Sequence, residues 1–338
     1  MIEPLQKALD DLAREHRDWR EHLFEIKIGS YEANKLILSG RVLEAANLNE
    51  IRQALAQLAP SILVDDTSVE VLRRLEPRLM QVATNLTGLQ RGPGWLTEQI
   101  SQLLFGVQVE VLEEKERWAY VRCSDGYLGW AYLPYLRSEP SLPATHLVSV
   151  PLAELRAGPR AETDLLSRVY GGTFVHMRSV QGEWAQIEAH VRGWMPLTGL
   201  RDLQSLPRTA ADRRAQMARD AFTLMGVPYL WGGTSVNGID CSGFAQLVHR
   251  WSGMTIRRDA DMQMSDGKPV APETMQPGDL AFFTEHGKEP AVTHVGISLG
   301  GWRMIHSSRS RNGVYVDDIQ QVGHLRDNFI GAAAYLDS

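Results

Sequence analysis

An internal repeat in the middle third of the chain constrains its fold more than any other feature. Each copy consists of short runs of alternating apolar and polar residues separated by Gly and Pro, a pattern typical of a small β-barrel. The repeat therefore predicts two barrels, at residues 79–138 and 145–205. The copies share turn and strand residues at an offset of 66 positions: Leu89, Gly92-Pro93 and Trp118 match Leu155, Gly158-Pro159 and Trp184.

The first 78 residues have a different pattern. Apolar residues at helical spacing precede two alternating runs, at residues 24–28 and 36–43. A second helical segment and an apolar run at residues 62–64 follow. The order helix, strand, strand, helix, strand predicts a small α+β domain over residues 1–78.

A cysteine lies at the start of an apolar helix in the C-terminal third of the chain. The segment Tyr229–Phe244 reads YLWGGTSVNGIDCSGF, and apolar residues at helical spacing continue to Trp251. The Gly-rich turns place Cys241 at the first helical turn. Because free N–H groups and the helix dipole favour an anion there, we expect the pKa of this thiol to fall. A buried cysteine on such a helix can also be simple packing, so a nucleophilic role requires a base nearby.

Two histidines downstream of the cysteine can supply that base. His294 and His306 lie in two apolar runs joined through Leu299-Gly300-Gly301. If this triplet is a three-residue hairpin loop, the two rings lie opposite each other, as a Cys-His-His triad requires. A two-residue turn at the glycines would instead pair His294 with Ser307. A metal site is the rival interpretation, but the sequence has no CxxC or HxxxH spacing.

Composition restricts the partners and the location that we expect. The net charge of −6 and the pI of about 6.0 argue against binding to nucleic acid. No run of 18 apolar residues predicts a membrane span, and the charged N-terminus lacks the apolar core of a secretory signal. We therefore expect a cytoplasmic protein, or an extracytoplasmic one if a leader was removed. A single bridge between Cys123 and Cys241 would not be a disulfide scaffold, and Cys123 is expected to be a packing residue.

The last third of the chain resembles the NlpC-type cell-wall peptidases, a papain-like family of cysteine peptidases. This resemblance implies an α+β papain-like catalytic domain at residues 209–338 that hydrolyses an amide through an acyl-enzyme, with no cofactor and no metal. It implies Cys241 as nucleophile, His294 as base and His306 as the residue that orients the base. We expect the Tyr229 hydroxyl to help the Cys241 backbone N–H bind the oxyanion. The matching motifs are Pro228–Gly233, Asp240–Phe244, Arg258-Asp259 with Gln263, Pro277–Phe283, Thr293–Ile297 and Ile305–Ser308.

The two predicted barrels resemble bacterial SH3-like domains, whose Gly-Pro turn and Gly-Trp strand are present twice. Combined with the catalytic domain, they resemble the γ-D-glutamyl-L-diamino acid endopeptidases, which cut murein stem peptides that have a free N-terminal L-Ala. The resemblance therefore implies murein stem peptides as the partner. It implies that Asp240 binds the free amine and that further residues line the substrate site: Ser242, Asp259 and Tyr127.

Two positions depart from that subgroup, and several alternatives stay open. The acidic residue that helps to bind the amine falls near Ile100-Ser101-Gln102, so it is missing or has moved to Glu98, and Ala260 replaces a serine. Asp240 can simply cap the helix, and Tyr127 can simply pack in its barrel. The alternative functions are a non-catalytic peptidoglycan-binding protein, or an amidase or acyltransferase acting on another γ-glutamyl amide. The N-terminal domain is weakly similar to the BON domain, and the oligomeric state is left open.

Overall fold

The structure is a computed structural model that describes residues 2–285 and 291–336. It divides into two compact units, one of residues 1–79 and 109–130 and the other of residues 80–108 and 131–338. Among the helices of the described part, none has both the length and the hydropathy needed to cross a bilayer. The boundaries of the four domains remain predictions.

The N-terminal segment has the predicted order of elements. Antiparallel β1 and β2 form a hairpin whose turn residues Ala33 and Asn34 have positive φ, and β3 pairs with β2 in parallel. The apolar faces of both helices pack on this sheet around Leu5, Leu36 and Ile51. The elements are α1 (Ile2–Glu15), β1 (Phe24–Glu32), β2 (Lys35–Val42), α2 (Ala45–Leu58) and β3 (Leu63–Val71).

The first copy of the repeat forms seven short strands. Strand β7 pairs with β8 in the first unit, while β5 pairs with β6 and β4 with β10 in the second unit, all antiparallel. The strands are β4 (Arg78–Val82), β5 (Leu86–Gln90), β6 (Gln99–Leu104), β7 (Gln108–Lys115), β8 (Trp118–Cys123), β9 (Leu128–Tyr132) and β10 (Leu136–Arg137).

The second copy repeats these pairings. Strands β14 and β15, β12 and β13, and β11 and β17 are the equivalent antiparallel pairs. The full sheet order is β13-β12-β16-β15-β14-β11-β17, around a core that includes Leu155, Val175 and Ile187. The strands are β11 (His146–Val148), β12 (Leu152–Arg156), β13 (Leu165–Tyr170), β14 (Phe174–Gln181), β15 (Trp184–Glu188), β16 (Arg192–Pro196) and β17 (Leu200–Asp202).

The C-terminal domain packs helices against a six-stranded antiparallel sheet of order β20-β25-β21-β22-β23-β24. Helix α4 lies on β22 and β23 and buries Phe244, Val248 and Trp251 in the core. The elements are α3 (Ala210–Thr223), β18 (Thr234–Ser235), β19 (Gly238–Ile239), α4 (Cys241–Trp251), α5 (Ala260–Asp266), β20 (Lys268–Val270), β21 (Leu280–Thr284), β22 (Val292–Gly300), β23 (Arg303–Ser308), β24 (Gly313–Asp318), α6 (Gly323–Asn328) and β25 (Phe329–Ala334).

The second barrel supports the far end of helix α4. A Cβ atom on Gly171 would lie 2.3 Å from the Trp251 ring, so the barrel turn approaches the helix too closely for any other residue. Arg250 donates from Nε to the Gly172 carbonyl at 2.7 Å. The helix that begins at the cysteine is therefore fixed at its C-terminal end by a second domain.

Candidate active site

Cys241 is the first residue of helix α4, as the sequence predicts. Asp240 precedes it in an extended conformation and caps the helix, because its Oδ1 accepts the Gly243 N–H at 2.7 Å. A Cβ atom on Gly243 would lie 2.2 Å from the Gly233 carbonyl oxygen, so the preceding loop can cross the helix start only at a glycine. The cysteine side chain is 8 % exposed.

The pKa of the Cys241 thiol does not fall, and the expectation from helix position is wrong. Burial and, after it, the charge of the neighbouring Asp240 carboxylate raise the pKa to about 12. Backbone N–H groups of Val295 and Ser242 hydrogen-bond to the sulfur and act in the opposite direction, but they are outweighed. The thiolate therefore has to form by transfer of the proton to a nearby base.

The two predicted histidines contact each other beside this thiol. His294 lies on β22, next to the Val295 N–H that bonds to the sulfur. His294 Nε2 and His306 Nδ1 are 2.7 Å apart, and their rings meet edge to face. The structure thus places His294 against His306 and directly before the residue whose N–H bonds to the Cys241 sulfur, and the catalytic roles of the three residues stay predictions.

Both hairpin registers considered from the sequence are wrong. The loop is Gly301-Trp302 between the paired residues Gly300 and Arg303, and a bulge at Leu299 shifts the register so that Ile297 faces Ile305. The rings therefore meet along a diagonal of the sheet instead of directly across it.

A glycine makes that diagonal contact possible. Extending the register by one residue puts Gly296 opposite His306, where a Cβ atom would lie 3.1 Å from the His306 Cβ. The space left by the missing side chain lets the buried His306 ring lie beside His294, which is two residues along the same face.

The electrostatics of His294 keep its ring unprotonated at rest. Burial lowers the pKa of its imidazole well below the usual range, and the neighbouring His306 and His324 lower it further. The ring is therefore neutral near pH 7 and has a nitrogen lone pair available.

An aspartate that the sequence analysis missed continues the chain of hydrogen bonds. His306 Nε2 lies 2.9 Å from Oδ2 of Asp317, and Arg311 Nη1 donates to Oδ1 of the same carboxylate at 2.7 Å. Asp317 is on β24, which pairs with the strand of His306. The alternation of the run GVYVDD predicts only a strand there, and nothing local marks the aspartate.

A buried arginine is the second residue that the sequence analysis left without a role. Arg258 is 2 % exposed and donates from Nη1 and Nη2 to the two oxygens of Asp240, at 3.1 and 2.5 Å. It also donates to Ser242 Oγ at 2.8 Å and to Ser101 Oγ at 3.0 Å. Arg258 thus connects the residue before the nucleophile to strand β6 of the first repeat copy.

The residues before and within β6 also hold the loop that leads to Cys241. Gln102 Oε1 accepts the backbone N–H of Thr234 at 2.9 Å, and Glu98 Oε1 accepts the Trp231 indole N–H at 2.7 Å. All these residues belong to the second compact unit. Glu98, the possible substitute for the missing acidic residue, therefore lies against the motif that precedes the nucleophile.

The other predicted substrate-binding residues have different surroundings. Burial and the charges of Cys241 and Asp240 raise the pKa of Tyr229 far above its usual value, so its hydroxyl stays protonated near the nucleophile. Asp259 precedes α5, with its carboxylate 3.9 Å from Arg258. Tyr127 belongs to the first unit, where it is 4 % exposed and meets Trp19 edge to face.

Comparisons with known proteins identify the domains that contain this site. Residues 226–332 match the NlpC/P60 family, and residues 91–132 match the bacterial dipeptidyl-peptidase Sh3 domain. The gamma-D-glutamyl-L-lysine dipeptidyl-peptidase of Bacillus cereus is 29% identical over 263 residues, which are 72% of this chain and 78% of that protein. Dipeptidyl-peptidase 6 of Lysinibacillus sphaericus is 26% identical over 260 residues, 71% of this chain and 91% of that protein.

A solved structure shares the fold. The crystal structure of an NlpC/P60 family protein from Bacillus cereus aligns with a TM-score of 0.66 and 24% identity, covering 77% of this chain and all of that one. The predicted α+β fold, with a papain-like catalytic domain and an SH3-like domain, is confirmed. The chain is therefore a peptidase with an NlpC/P60 catalytic domain preceded by a bacterial dipeptidyl-peptidase SH3 domain.

Proposed function

We propose that the protein is a cysteine peptidase that cuts murein stem peptides between D-Glu and the diamino acid, acting on fragments with a free N-terminal L-Ala in cell-wall peptide recycling. The observation that carries the chemistry is the contact of His294 with His306, next to the buried Cys241 thiol. The names of the relatives, which are dipeptidyl-peptidases acting at γ-D-glutamyl-L-lysine, support the substrate class.

The reaction begins with a neutral thiol and a neutral imidazole. The Cys241 sulfur attacks the carbonyl carbon of D-Glu as its proton passes to His294, and the protonated ring then gives that proton to the leaving amine. The Cys241 N–H and the Tyr229 hydroxyl donate to the oxyanion; the raised pKa of Tyr229 keeps that hydroxyl protonated as a donor. Water hydrolyses the acyl-enzyme by the same route.

Selection for a free amine requires a carboxylate that can still accept hydrogen bonds. Asp240 already accepts two from Arg258 and one each from the N–H groups of Gly232 and Gly243. An ionised carboxylate offers about four acceptor sites, so little capacity remains at Asp240. Glu98 is exposed, and its carboxylate lies against Trp231.

We therefore assign the amine to Glu98, with Asp240 holding Arg258 and the helix start. The predicted contact between Asp240 and the amine is the alternative that the experiment decides. In either case, an ammonium group that the bound peptide covers needs a carboxylate partner, because an unpaired charge removed from water is costly.

The experiment compares kcat/KM for L-Ala-γ-D-Glu-L-Lys and its N-acetyl form. We expect acetylation to lower kcat/KM of the wild type by about 10²–10³-fold, which corresponds to about 3–4 kcal/mol for a stranded charge. Glu98→Gln should remove most of this preference by weakening cleavage of the free-amine peptide alone. Asp240→Asn should weaken cleavage of both peptides equally.

The second repeat copy provides the matched control. Asp164 takes the place of Glu98 there, and its carbonyl accepts a backbone N–H from Ala157 as that of Glu98 does from Arg91. Asp164→Asn should leave both rates unchanged. Equal cleavage of the two peptides by the wild type would refute the substrate proposal. If Asp240→Asn alone lost the preference for the free-amine peptide, Asp240 would be the residue that binds the amine.

A further inference from the structure

We propose that Asp317 is a positioning residue of the catalytic machinery, which sets the tautomers of both histidines and thereby decides which nitrogen of His294 can take the thiol proton. This inference rests on the proposed function, since it assigns His294 as the base. It extends the predicted triad by a fourth group on the neighbouring strand.

The sheet places Asp317 where it can act only through His306. On β24, Tyr315 pairs with His306, and Asp317 lies two residues farther along the same face. The Asp317 side chain is 14 % exposed. Its contacts with His306 and then with Arg311 hold the pKa of this carboxyl below its usual range, so the group is ionised at neutral pH.

An ionised carboxylate only accepts hydrogen bonds. Asp317 therefore determines which nitrogen carries the proton in His306, and through His306 which nitrogen carries it in His294. His306 Nε2 must carry a proton that it donates to Asp317 across the 2.9 Å contact. In the neutral ring, Nδ1 is then the acceptor, so His294 Nε2 must donate to it across 2.7 Å. His294 Nδ1 is left as the unprotonated nitrogen, which is the one able to accept the thiol proton.

Replacing Asp317 with asparagine should reverse the donor and acceptor in each of these hydrogen bonds. Arg311 donates to Oδ1 of Asp317 and is held over the Tyr315 ring, so it would keep the amide oxygen of Asn and turn the NH₂ group toward His306. His306 Nε2 would become an acceptor and its Nδ1 a donor. His294 would then carry its proton on Nδ1, where it blocks the base.

The expected order of kcat/KM among the Asp317 variants is therefore unusual. Asp317→Asn should lower kcat/KM by about 10³–10⁴-fold, comparable with the effect of the wrong tautomer in serine proteases. Asp317→Ala, which imposes no donor, should lose less. Arg311→Met combined with Asp317→Asn lets the amide turn its oxygen to His306 and should recover most of the loss. Asp318→Asn is the matched control, because the adjacent side chain faces the other side of the strand, and it should stay within about twofold of the wild type.

A spectroscopic measurement tests the inference without relying on activity. In ¹⁵N-histidine-labelled protein with Cys241→Ala, the ring nitrogen shifts should show His306 protonated at Nε2 and His294 protonated at Nε2, with both patterns reversed after Asp317→Asn. An inactive wild type with these shifts would defeat the proposed function and leave the tautomer assignment standing. A wild-type His306 protonated at Nδ1, or an Asp317→Asn variant as active as Asp318→Asn, would overturn the inference.

Discussion

The buried ion pair of Arg258 and Asp240, next to the nucleophile, gives the sharpest test of which interactions stabilise this site. Arg258 and Asp240 are 2 % and 5 % exposed, and two hydrogen bonds join them. Breaking a buried pair by removing one partner costs about 3–5 kcal/mol, because the other charge stays in the interior unpaired. Arg258→Met and Asp240→Asn should each destabilise the catalytic domain by that amount. The double variant should cost about 2–3 kcal/mol less than the sum of the two, since neither charge then remains alone.

The neighbouring pair in the sequence is the matched control. Arg257 and Asp266 are joined by two equally short hydrogen bonds, at 2.6 and 2.7 Å, but their side chains are 23 % and 37 % exposed. Exposed pairs contribute about 0.2–1 kcal/mol. Arg257→Met and Asp266→Asn should therefore each cost less than about 1 kcal/mol and show little coupling.

The free energy of local opening around this pair should be measured instead of that of global unfolding, because a chain with several domains need not unfold in one step. Hydrogen exchange of peptides covering residues 226–250 reports the opening free energy around the two N–H groups that Asp240 accepts, those of Gly232 and Gly243. Additive effects of Arg258→Met and Asp240→Asn, or equal effects in the exposed pair, would refute the argument from burial.

Three further outcomes are expected. Cys241→Ala should abolish peptide hydrolysis while Cys123→Ala retains it, because Cys123 is a buried packing residue whose thiol pKa is raised well above its usual value by burial; product analysis by mass spectrometry checks both. In His294→Ala, alkylation of Cys241 by iodoacetamide at pH 7 should slow by about 10²-fold or more and recover only well above pH 9, since the thiol loses its base; an unchanged rate would contradict this. Gly296→Ala should cost about 1–3 kcal/mol and depress kcat/KM, because the new Cβ would lie 2.6 Å from Met304 Sδ and 3.1 Å from the His306 Cβ; thermal unfolding and kinetics measure the two effects.

Local patterns in the sequence were enough to predict the helix start and its cysteine. Asp240 followed by Cys241 and an apolar period specifies a capped helix, and the structure has that helix with that cap. The predicted fall in the thiol pKa failed because it considered only the helix end. Burial depends on the strands and loops that pack over Cys241, which no local pattern contains.

The arrangement of the histidines shows a second limit. The pattern of two apolar runs around Gly300-Gly301 correctly predicts a hairpin, but the bulge at Leu299 moves the register by two positions from the one that would oppose the rings. Gly296 leaves room beside the His306 ring, because a Cβ atom there would lie 3.1 Å from the His306 Cβ. Arg258 and Asp317 were missed for a related reason, since each meets its partner from an element whose neighbour is set by tertiary packing.

Burial disfavours charge on the Cys241 thiol and the His294 ring before the reaction, but it strengthens the interactions that stabilise charge during the reaction. It raises the pKa of the Cys241 thiol and lowers that of the His294 imidazole, so both groups rest neutral and the thiolate is scarce before substrate binds. The same low dielectric strengthens the action of every fixed charge and dipole on the charges that form as the thiol proton moves. When His294 takes the thiol proton it becomes a cation, and the Asp317 carboxylate lies on the other side of His306 from it. This carboxylate is already in place, so it can stabilise the His294 cation without reorganisation. A site that keeps its reacting groups neutral at rest therefore depends more on such fixed partners than an exposed site would, and this is why a residue two side chains away from the sulfur should change the rate.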